Sequence, residues 1–594
     1  MALRGPAGAD ILPLSEVRRG QKGYGLSVVT GHAIERFEVE VVDLLPNAAP
    51  GRAYVLVRVA GLGLEKSGVV AGMSGSPVYI DGRLMGALSA TWSFSKEPLG
   101  LVTPIEAMLA MTTEPGSGRT PPVRTTTTGG IDGDLLRSLV LPVEERVDAF
   151  RASLEARQPR PSSQGEGLLA PVSSGFPASS FSSYEWLLRP LGGFARLASS
   201  GAGIAGVGGG GPASVARGKS LPLEPGSSMI ALLVDGDFTF GATGTVTWVG
   251  KDGAFLAFGH PFLGWGDLEL PVATAHVASV MPSTFQSFKL SWAHEPAYRL
   301  SRDRDPGIFG FTDRTAPMVP LAFRFEDSTG RVSTRSLRLA PSGKILPILI
   351  TLVGEAGLTV LDPAPREKTL RFRIVLDGPD GSFVYQDVAT GPRAKELALL
   401  TASTLAALVV DSDLAEAKIT GISMSFVSEP GEKRARIVDA ALRSRTVAPG
   451  EDVVATVRLR DFRGGESARV VRLTVPPETP DGKLTLFVGD GGTFSSLRMS
   501  LDPAEPRTLP ELSRWLSRLT PSSTLGAALL SGGRGAATGS GTLSALPPSM
   551  AALLAGSGER LDVSQRILAE SGTDLGLPLA GAIRLDFDVE KPRH

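Results

Sequence analysis

The chain has 594 residues, a length that predicts about three to five domains rather than one. Glycine (71) and proline (45) are frequent and aromatic residues make up only 6%, which excludes a helical bundle or a coiled coil for most of the chain. A net charge of -1 and the absence of cysteine exclude a broad basic surface for nucleic acid or anionic membrane, a disulfide framework, a thiolate metal site and a cysteine nucleophile.

The first segment, residues 1–111, is predicted to be mostly β. Apolar and acidic residues alternate over 37–41, which is typical of a half-buried strand, and 54–59 predicts a second strand. Two further strands flank Asp81-Gly82, a dipeptide that favours a two-residue hairpin because both turn positions need a positive φ. A short helix is expected after Thr103-Pro104.

Residues 112–220 change in composition, with runs of Thr, Gly, Ser and Pro. These runs predict a linker, with one or two helices near 135–156. Strands are predicted to resume in 221–355, and this second β unit is expected to hold strands at 229–234, 244–249, 254–258, 321–325 and 345–352.

The last third of the chain is predicted to continue as β structure. We expect a β-rich domain at 356–430 and an immunoglobulin-like β-sandwich at 431–502, where apolar and polar residues alternate. The apolar run 397–410 is too short for the roughly 20 residues of a membrane span and predicts a buried helix. Residues 503–594 give no clear prediction of fold. Residues 1–20 show no continuous apolar segment of the kind found in a signal peptide.

The strongest local signal is Gly72-Met73-Ser74-Gly75-Ser76-Pro77, which resembles the turn that carries the nucleophile of chymotrypsin-like serine proteases. A serine hydroxyl attacks a carbonyl only when a base takes its proton and fixed N–H donors stabilise the oxyanion. A glycine two positions before the serine lets the N–H groups of Gly72 and Ser74 point into one oxyanion hole. A glycine-rich turn between strands is the alternative explanation.

The surrounding sequence resembles the SpoIVB peptidase family, serine endopeptidases of the chymotrypsin-like clan. Residues 37–41 and 68–87 are similar to the serine-bearing half of that family, and the resemblance spans about 20–109. Residues 244–261, with Gly307-Ile308-Phe309-Gly310 later in the chain, are similar to its histidine-bearing half. The resemblance implies that His260, after an apolar strand and a glycine, is the catalytic base.

The two halves stand here in the reverse of the family's founding order, and no PDZ-like segment precedes the serine half. Catalytic groups are defined by their places in space and recur in different chain orders. The predicted fold is therefore mainly β, with a chymotrypsin-like double β-barrel formed by 1–111 and 221–355 and followed by immunoglobulin-like β-sandwich domains.

His32, 42 residues before Ser74, is the rival base, whereas His276 at an apolar position is expected to be a core histidine. Asp267 is predicted to orient the imidazole of His260, because it follows soon after the histidine strand. Asp252, Asp303 and Asp305 are alternatives for that role. A histidine base would give an activity that rises through a pKa near about 6.5, raised further by a carboxylate neighbour.

The predicted function is hydrolysis of peptide bonds in polypeptide substrates, including the chain itself, by acyl transfer. Ser74 would be the nucleophile, His260 the base, and the N–H groups of Gly72 and Ser74 the oxyanion donors. No metal or cofactor is implied. The family resemblance implies export to a periplasmic or cell-surface location. The rival hypothesis is a non-catalytic envelope or surface protein that uses a peptidase-like fold as a binding scaffold.

Overall fold

The computed structural model describes residues 10–49, 52–113, 133–141, 143–156, 169–191, 218–343, 345–362, 368–379, 381–410, 412, 418–501, 506, 508–538, 541–543 and 561–591. Much of the predicted linker, at 114–132, 157–168 and 192–217, lies outside these residues. The described chain divides into two compact units, one of Met1–Thr126, Arg157–Leu321 and Arg335–Val360 and one of Thr127–Ala156, Ala322–Thr334 and Leu361–His594.

Strands dominate the described residues, as the composition predicts. Up to residue 113 the elements are β1 Lys22–Val28, β2 Ile34–Ala49, β3 Arg52–Ala60, α1 Leu64–Ser67, β4 Pro77–Ile80, β5 Arg83–Ala90, β6 Leu99–Pro104 and α2 Ile105–Thr113. From there to residue 361 they are α3 Gly133–Val140, α4 Val143–Ala156, β7 Ala170–Ser174, α5 Ala178–Ser183, α6 Glu185–Leu188, β8 Ser228–Gly236, β9 Thr239–Val249, β10 Ala254–Ala257, β11 Gly266–Met281, β12 Phe288–Ala293, β13 Tyr298–Arg304, β14 Gly307–Phe311, β15 Val319–Glu326, β16 Val332–Leu339 and α7 Leu346–Leu361. The remaining elements are β17 Lys368–Gly378, β18 Gly381–Thr390, α8 Ala394–Val410, β19 Gly421–Pro430, β20 Ala435–Leu442, β21 Thr446–Val447, β22 Asp452–Asp461, β23 Glu466–Thr474, β24 Gly482–Asp490, α9 Gly491–Leu501, α10 Leu509–Ser517, β25 Thr524–Thr538, β26 Gly541–Leu543, β27 Leu561–Asp574, β28 Leu579–Ala580 and β29 Ala582–Val589.

The first barrel is a closed sheet in the order β1-β2-β3-β6-β5-β4. Its interior is filled by the inward residues of these strands, among them Val39, Val57 and Val78, since side chains alternate across a strand. The predicted hairpin is confirmed: β4 pairs with β5 across Asp81 and Gly82, which have φ values of +51° and +74°. The helix expected after Pro104 is α2.

The second barrel belongs to the same unit. The strands β8-β9-β10-β14-β13-β11 follow one another, and pairing of β11 with β8 closes the ring. β12 extends this sheet beside β11, and β7, which lies inside the predicted linker, pairs with β9. Two closed barrels of six strands are the architecture expected for a chymotrypsin-like fold.

One predicted strand is wrong. Residues 346–352 belong to α7, a helix that is buried along nearly all of its length, and Ile345 directly precedes it. A run that is apolar on every side has no periodicity with which to separate a buried strand from a buried helix. The predicted buried helix at 397–410 is confirmed as part of α8.

The second unit contains a β-sandwich. One sheet has the order β23-β22-β20-β28 and the other the order β21-β29-β24-β25-β26, with β27 paired to β25. Both sheets contribute to one core, in which Val457 of the first sheet and Leu486 and Leu529 of the second are buried. The C-terminal strands β27 to β29, in a region without a clear sequence-based prediction, complete this sandwich.

Within the described residues, none of the helices combines the length and the apolar character that a membrane span requires.

Candidate active site

The segment from Ala71 to Ser76, hereafter the serine turn, lies between α1 and β4 of the first barrel. Gly72 and Gly75 have φ values of +98° and +94°, a region that favours glycine. A Cβ on Gly75 would lie only 1.9 Å from the main-chain oxygen of Thr245. Glycine is therefore required here both by the turn and by its contact with the second barrel.

Carbonyl groups of the serine turn accept hydrogen bonds from β9. The N–H of Thr245 donates to the oxygen of Ser74 over 2.7 Å. The hydroxyl of Thr245 donates to Gly72 over 2.9 Å, and that of Thr247 donates to Gly75 over 2.8 Å. The turn is thus fixed against the second barrel through its acceptors.

Only some of the N–H groups of the serine turn have an acceptor in the described structure. Met73 and Gly75 donate to main-chain oxygens of the first barrel. Among the residues that the structure describes, no acceptor is found for the N–H groups of Gly72 and Ser74. These are the two donors that the sequence assigns to an oxyanion hole, and free N–H groups in a fixed turn are what such a hole needs.

Ser74 meets the histidine-bearing segment directly. Its hydroxyl is buried and donates to the main-chain oxygen of Phe258 over 2.7 Å. Phe258 and Gly259 both have left-handed backbone, with φ values of +71° and +70°, a conformation that is rare for a bulky residue. The structure therefore brings Ser74 next to the segment that carries His260. The hydrogen bond of the serine hydroxyl is accepted by a main-chain carbonyl and not by the imidazole.

The imidazole of His260 has a defined tautomer. Its Nδ1 lies 2.7 Å from the main-chain oxygen of Pro261. Because a carbonyl can only accept, Nδ1 carries the hydrogen and Nε2 keeps its lone pair. In the described part of the chain, this buried Nε2 has no hydrogen-bond partner. Burial lowers the pKa of His260 to about 4, so the ring is neutral at neutral pH and its Nε2 can accept a proton.

Asp267 does not take the orienting role in this structure. Its carboxylate accepts a hydrogen bond from Arg304 over 2.8 Å and lies 3.9 Å from Arg302, while Pro261 occupies Nδ1 of the histidine. The expected rise in the pKa of His260 through a carboxylate neighbour is outweighed. Burial is the largest effect and lowers this pKa, although the charge of Asp305 raises it.

The other acidic candidates form hydrogen bonds or ion pairs with groups other than the imidazole of His260. Asp303 accepts the N–H groups of Phe262, Leu263 and Gly264 over 2.7, 2.6 and 2.8 Å, so it fixes the loop that follows the histidine. Asp305 pairs with Arg52. Asp252 is exposed and accepts the N–H of Ala254 two residues later.

The rival histidine His32 is engaged elsewhere. Its Nε2 lies 3.1 Å from Nδ1 of His276, and its ring centroid lies 4.8 Å from that of His294. No group of three or more His, Cys, Asp or Glu side chains within the described ranges could hold a metal ion. The rings of the three histidines form a cluster.

Lys289 on β12 is a site residue that the sequence analysis missed. It is buried, and its Nζ donates to the hydroxyls of Ser27 over 3.0 Å and Thr245 over 3.3 Å. Its methylene groups pack under Gly72, where an added Cβ would lie 2.9 Å from Cδ. Burial lowers the pKa of Lys289 to about 7.

The strand pattern around Lys289 explains why it was missed. On β12 the alternate residues Phe288, Leu290 and Trp292 are partly or fully exposed, whereas Lys289 and Ser291 are buried. Hydrophobic alternation places the large apolar side chains inside. The alternation of this strand therefore predicts that Lys289 is exposed to solvent.

Comparison with known proteins supports the assignment of the first barrel. Residues 9–109 match the family model of the SpoIVB peptidase S55 family, which confirms the resemblance over this part of the chain and supports a peptidase function. The match contains Ser74 and ends well before His260. None of the curated proteins gives a significant match.

Gly75→Ala is expected to separate the effect of docking from that of backbone strain. Its Cβ would collide with the oxygen of Thr245, whereas Gly82 has a similar positive φ and nothing within 4 Å. We expect Gly82→Ala to lower the free energy of unfolding by about 1–2 kcal/mol and Gly75→Ala to lower it by at least about 2 kcal/mol more. Urea denaturation of both variants gives the comparison, and equal losses would contradict the docked arrangement.

Lys289→Met is expected to stabilise the protein in a pH-dependent way. The pKa of Lys289 is about 7 when folded and 10.5 ordinarily, so the unfolded chain binds more protons between these values and wild-type stability rises with pH across that window. The variant should gain up to about 5 kcal/mol below pH 7, with a smaller gain as the pH rises.

Thermal or urea unfolding between about pH 6 and 9.5 measures this gain. Lys66→Met, at an exposed position on α1, is the matched control and should show no such trend. A gain for Lys289→Met that is the same at every pH would contradict a buried, neutral amine.

Proposed function

We propose that this protein is a serine endopeptidase in which Ser74 attacks the substrate carbonyl and His260 accepts its proton. The observation that carries the proposal combines two N–H groups without acceptors, at Gly72 and Ser74, with an unpartnered Nε2 on His260 in the described structure. His260 stands two residues after Phe258, whose carbonyl contacts Ser74. The peptidase family match over residues 9–109 supports the same reaction class.

The chemistry follows from these groups. Nε2 of His260 takes the proton of Ser74 as its Oγ bonds to the carbonyl carbon, and the N–H groups of Gly72 and Ser74 stabilise the oxyanion. The imidazolium then gives its proton to the leaving amine, and water releases the acyl group by the reverse path. The carbonyl of Pro261 holds the imidazole in the required tautomer, a role that a carboxylate has in other triads.

The described arrangement is a closed one. Ser74 is fully buried and donates to Phe258, so its hydroxyl must leave this carbonyl before it can donate to Nε2 of His260. Substrate entry therefore requires the junction between the serine turn and the Phe258 segment to open. We infer that an extended polypeptide enters there, and that the protein acts after export, as the family resemblance suggests.

Ser74→Ala and His260→Gln are each expected to slow phosphonylation by an alkyl fluorophosphonate at least about 100-fold, since either change removes a group that acts as part of one unit. The measurement is the pseudo-first-order rate of adduct formation, followed by intact-protein mass spectrometry, together with hydrolysis of an unfolded protein substrate.

The matched controls are Ser228→Ala and His294→Gln. Ser228 is a buried serine whose hydroxyl has no partner in the described chain, and His294 is a buried histidine whose Nδ1 lies 2.9 Å from the hydroxyl of Thr274. Both controls should react at the wild-type rate. Wild-type rates for Ser74→Ala or His260→Gln would refute the proposal, and a wild-type protein that never reacts would favour the binding scaffold.

A further inference from the structure

The serine turn holds a second hydroxyl with its own proton path. Ser76, two residues after Ser74, donates from Oγ to Oγ of Ser27 over 3.2 Å. Oγ of Ser27 is in turn 3.0 Å from Nζ of Lys289. All three side chains are buried, so the two serines and the amine form a continuous hydrogen-bonded chain out of contact with water.

Both barrels hold this series of hydrogen-bonded side chains in place. β1 and β4 pair with Gly25 opposite Val78, and continuing that register by two residues places Ser27 opposite Ser76. Lys289 enters from β12, whose main chain is held to the serine turn by the N–H of Lys289 donating to Ala71 over 2.9 Å. These three side chains therefore come together only where the two barrels meet.

Burial of an amine with no charged partner is costly unless the amine is neutral. The groups that face Nζ of Lys289 are the hydroxyls of Ser27 and Thr245. Burial is the single cause of its lowered pKa, with no contribution from a carboxylate or another cation. A neutral amine has a lone pair and can act as a base, as in the serine–lysine variants of acyl-transfer sites.

We propose that Ser76 is a second nucleophile of this site, with Lys289 as its base and Ser27 as the relay between them. The substrate class is an acyl compound or a phosphonyl analogue, as for Ser74, but the path does not involve His260. The inference goes beyond the proposed function and does not require it.

The step balances in protons and bonds. In the structure Nζ of Lys289 donates to Oγ of Ser27, so the neutral amine first turns its lone pair towards Ser27 and accepts that hydrogen bond. Oγ of Ser76 then bonds to the carbonyl carbon while its proton moves to Oγ of Ser27, and the proton of Ser27 moves to Nζ of Lys289. Collapse of the adduct breaks the carbon–nitrogen bond, and the leaving amine takes the proton back along the same path. With a fluorophosphonate, fluoride leaves and the proton stays on Lys289.

The test uses the full-length Ser74→Ala protein treated with an alkyl fluorophosphonate, with the modified residue located by tandem mass spectrometry. We expect a slow adduct on Ser76. Adding Lys289→Met or Ser27→Ala should lower the rate of this adduct at least tenfold. Ser291→Ala is the matched control, because Ser291 is a buried serine of β12 that bonds to Thr243 outside the relay.

The outcomes separate the two proposals. An unmodified Ser76 in the Ser74→Ala protein, or an adduct that forms as fast after Lys289→Met and Ser27→Ala, overturns the relay even if wild-type Ser74 reacts. A Ser76 adduct that depends on Lys289, found together with an unreactive Ser74 in the wild type, supports the relay and refutes the proposed function. Circular dichroism and the thermal midpoint of each variant distinguish loss of reaction from loss of fold.

Discussion

The candidate site depends on the docking of the serine turn against β9 of the second barrel. Thr245 and Thr247 bind the carbonyl groups of Gly72, Ser74 and Gly75, so the acceptors of the turn are satisfied by the neighbouring barrel. The N–H groups of Gly72 and Ser74 are left without acceptors in the described structure. One set of contacts thus both joins the barrels and leaves free the donors that a developing oxyanion would need.

Burial at this junction sets the electrostatics of the site. His260 and Lys289 both have a pKa below the ordinary value, because removal from water disfavours their charged forms. At neutral pH the imidazole of His260 is neutral and the amine of Lys289 is partly neutral. His260 lies two residues after Phe258, which Ser74 contacts, and Lys289 is connected to Ser76 through Ser27. Strongly shifted pKa values are more frequent at functional sites than elsewhere, because catalysis needs groups whose pKa matches their task.

Local sequence rules predicted the parts of the site that depend on backbone conformation. The Asp81-Gly82 hairpin, the glycines of the serine turn and the position of His260 after β10 all follow from turn chemistry and from the family resemblance. Contacts between distant segments could not be predicted in this way. Pro261, and not Asp267, is the partner of His260, because the geometry of the loop decides that hydrogen bond. The burial of Lys289 could not be predicted, because the large apolar residues of its strand face outwards. The helix at 346–361 was predicted in part as a strand because its apolar residues show no period.

The central claim is that Ser74 reacts in a hole formed by its own N–H and that of Gly72, and a crystal structure of the phosphonylated wild-type protein tests it most directly. We expect a covalent bond from phosphorus to Oγ of Ser74, with the phosphonyl oxygen within about 3.1 Å of both N–H groups and Nε2 of His260 facing Oγ. An adduct on a serine outside the serine turn, or an adduct on Ser74 whose phosphonyl oxygen contacts neither N–H group, would contradict it.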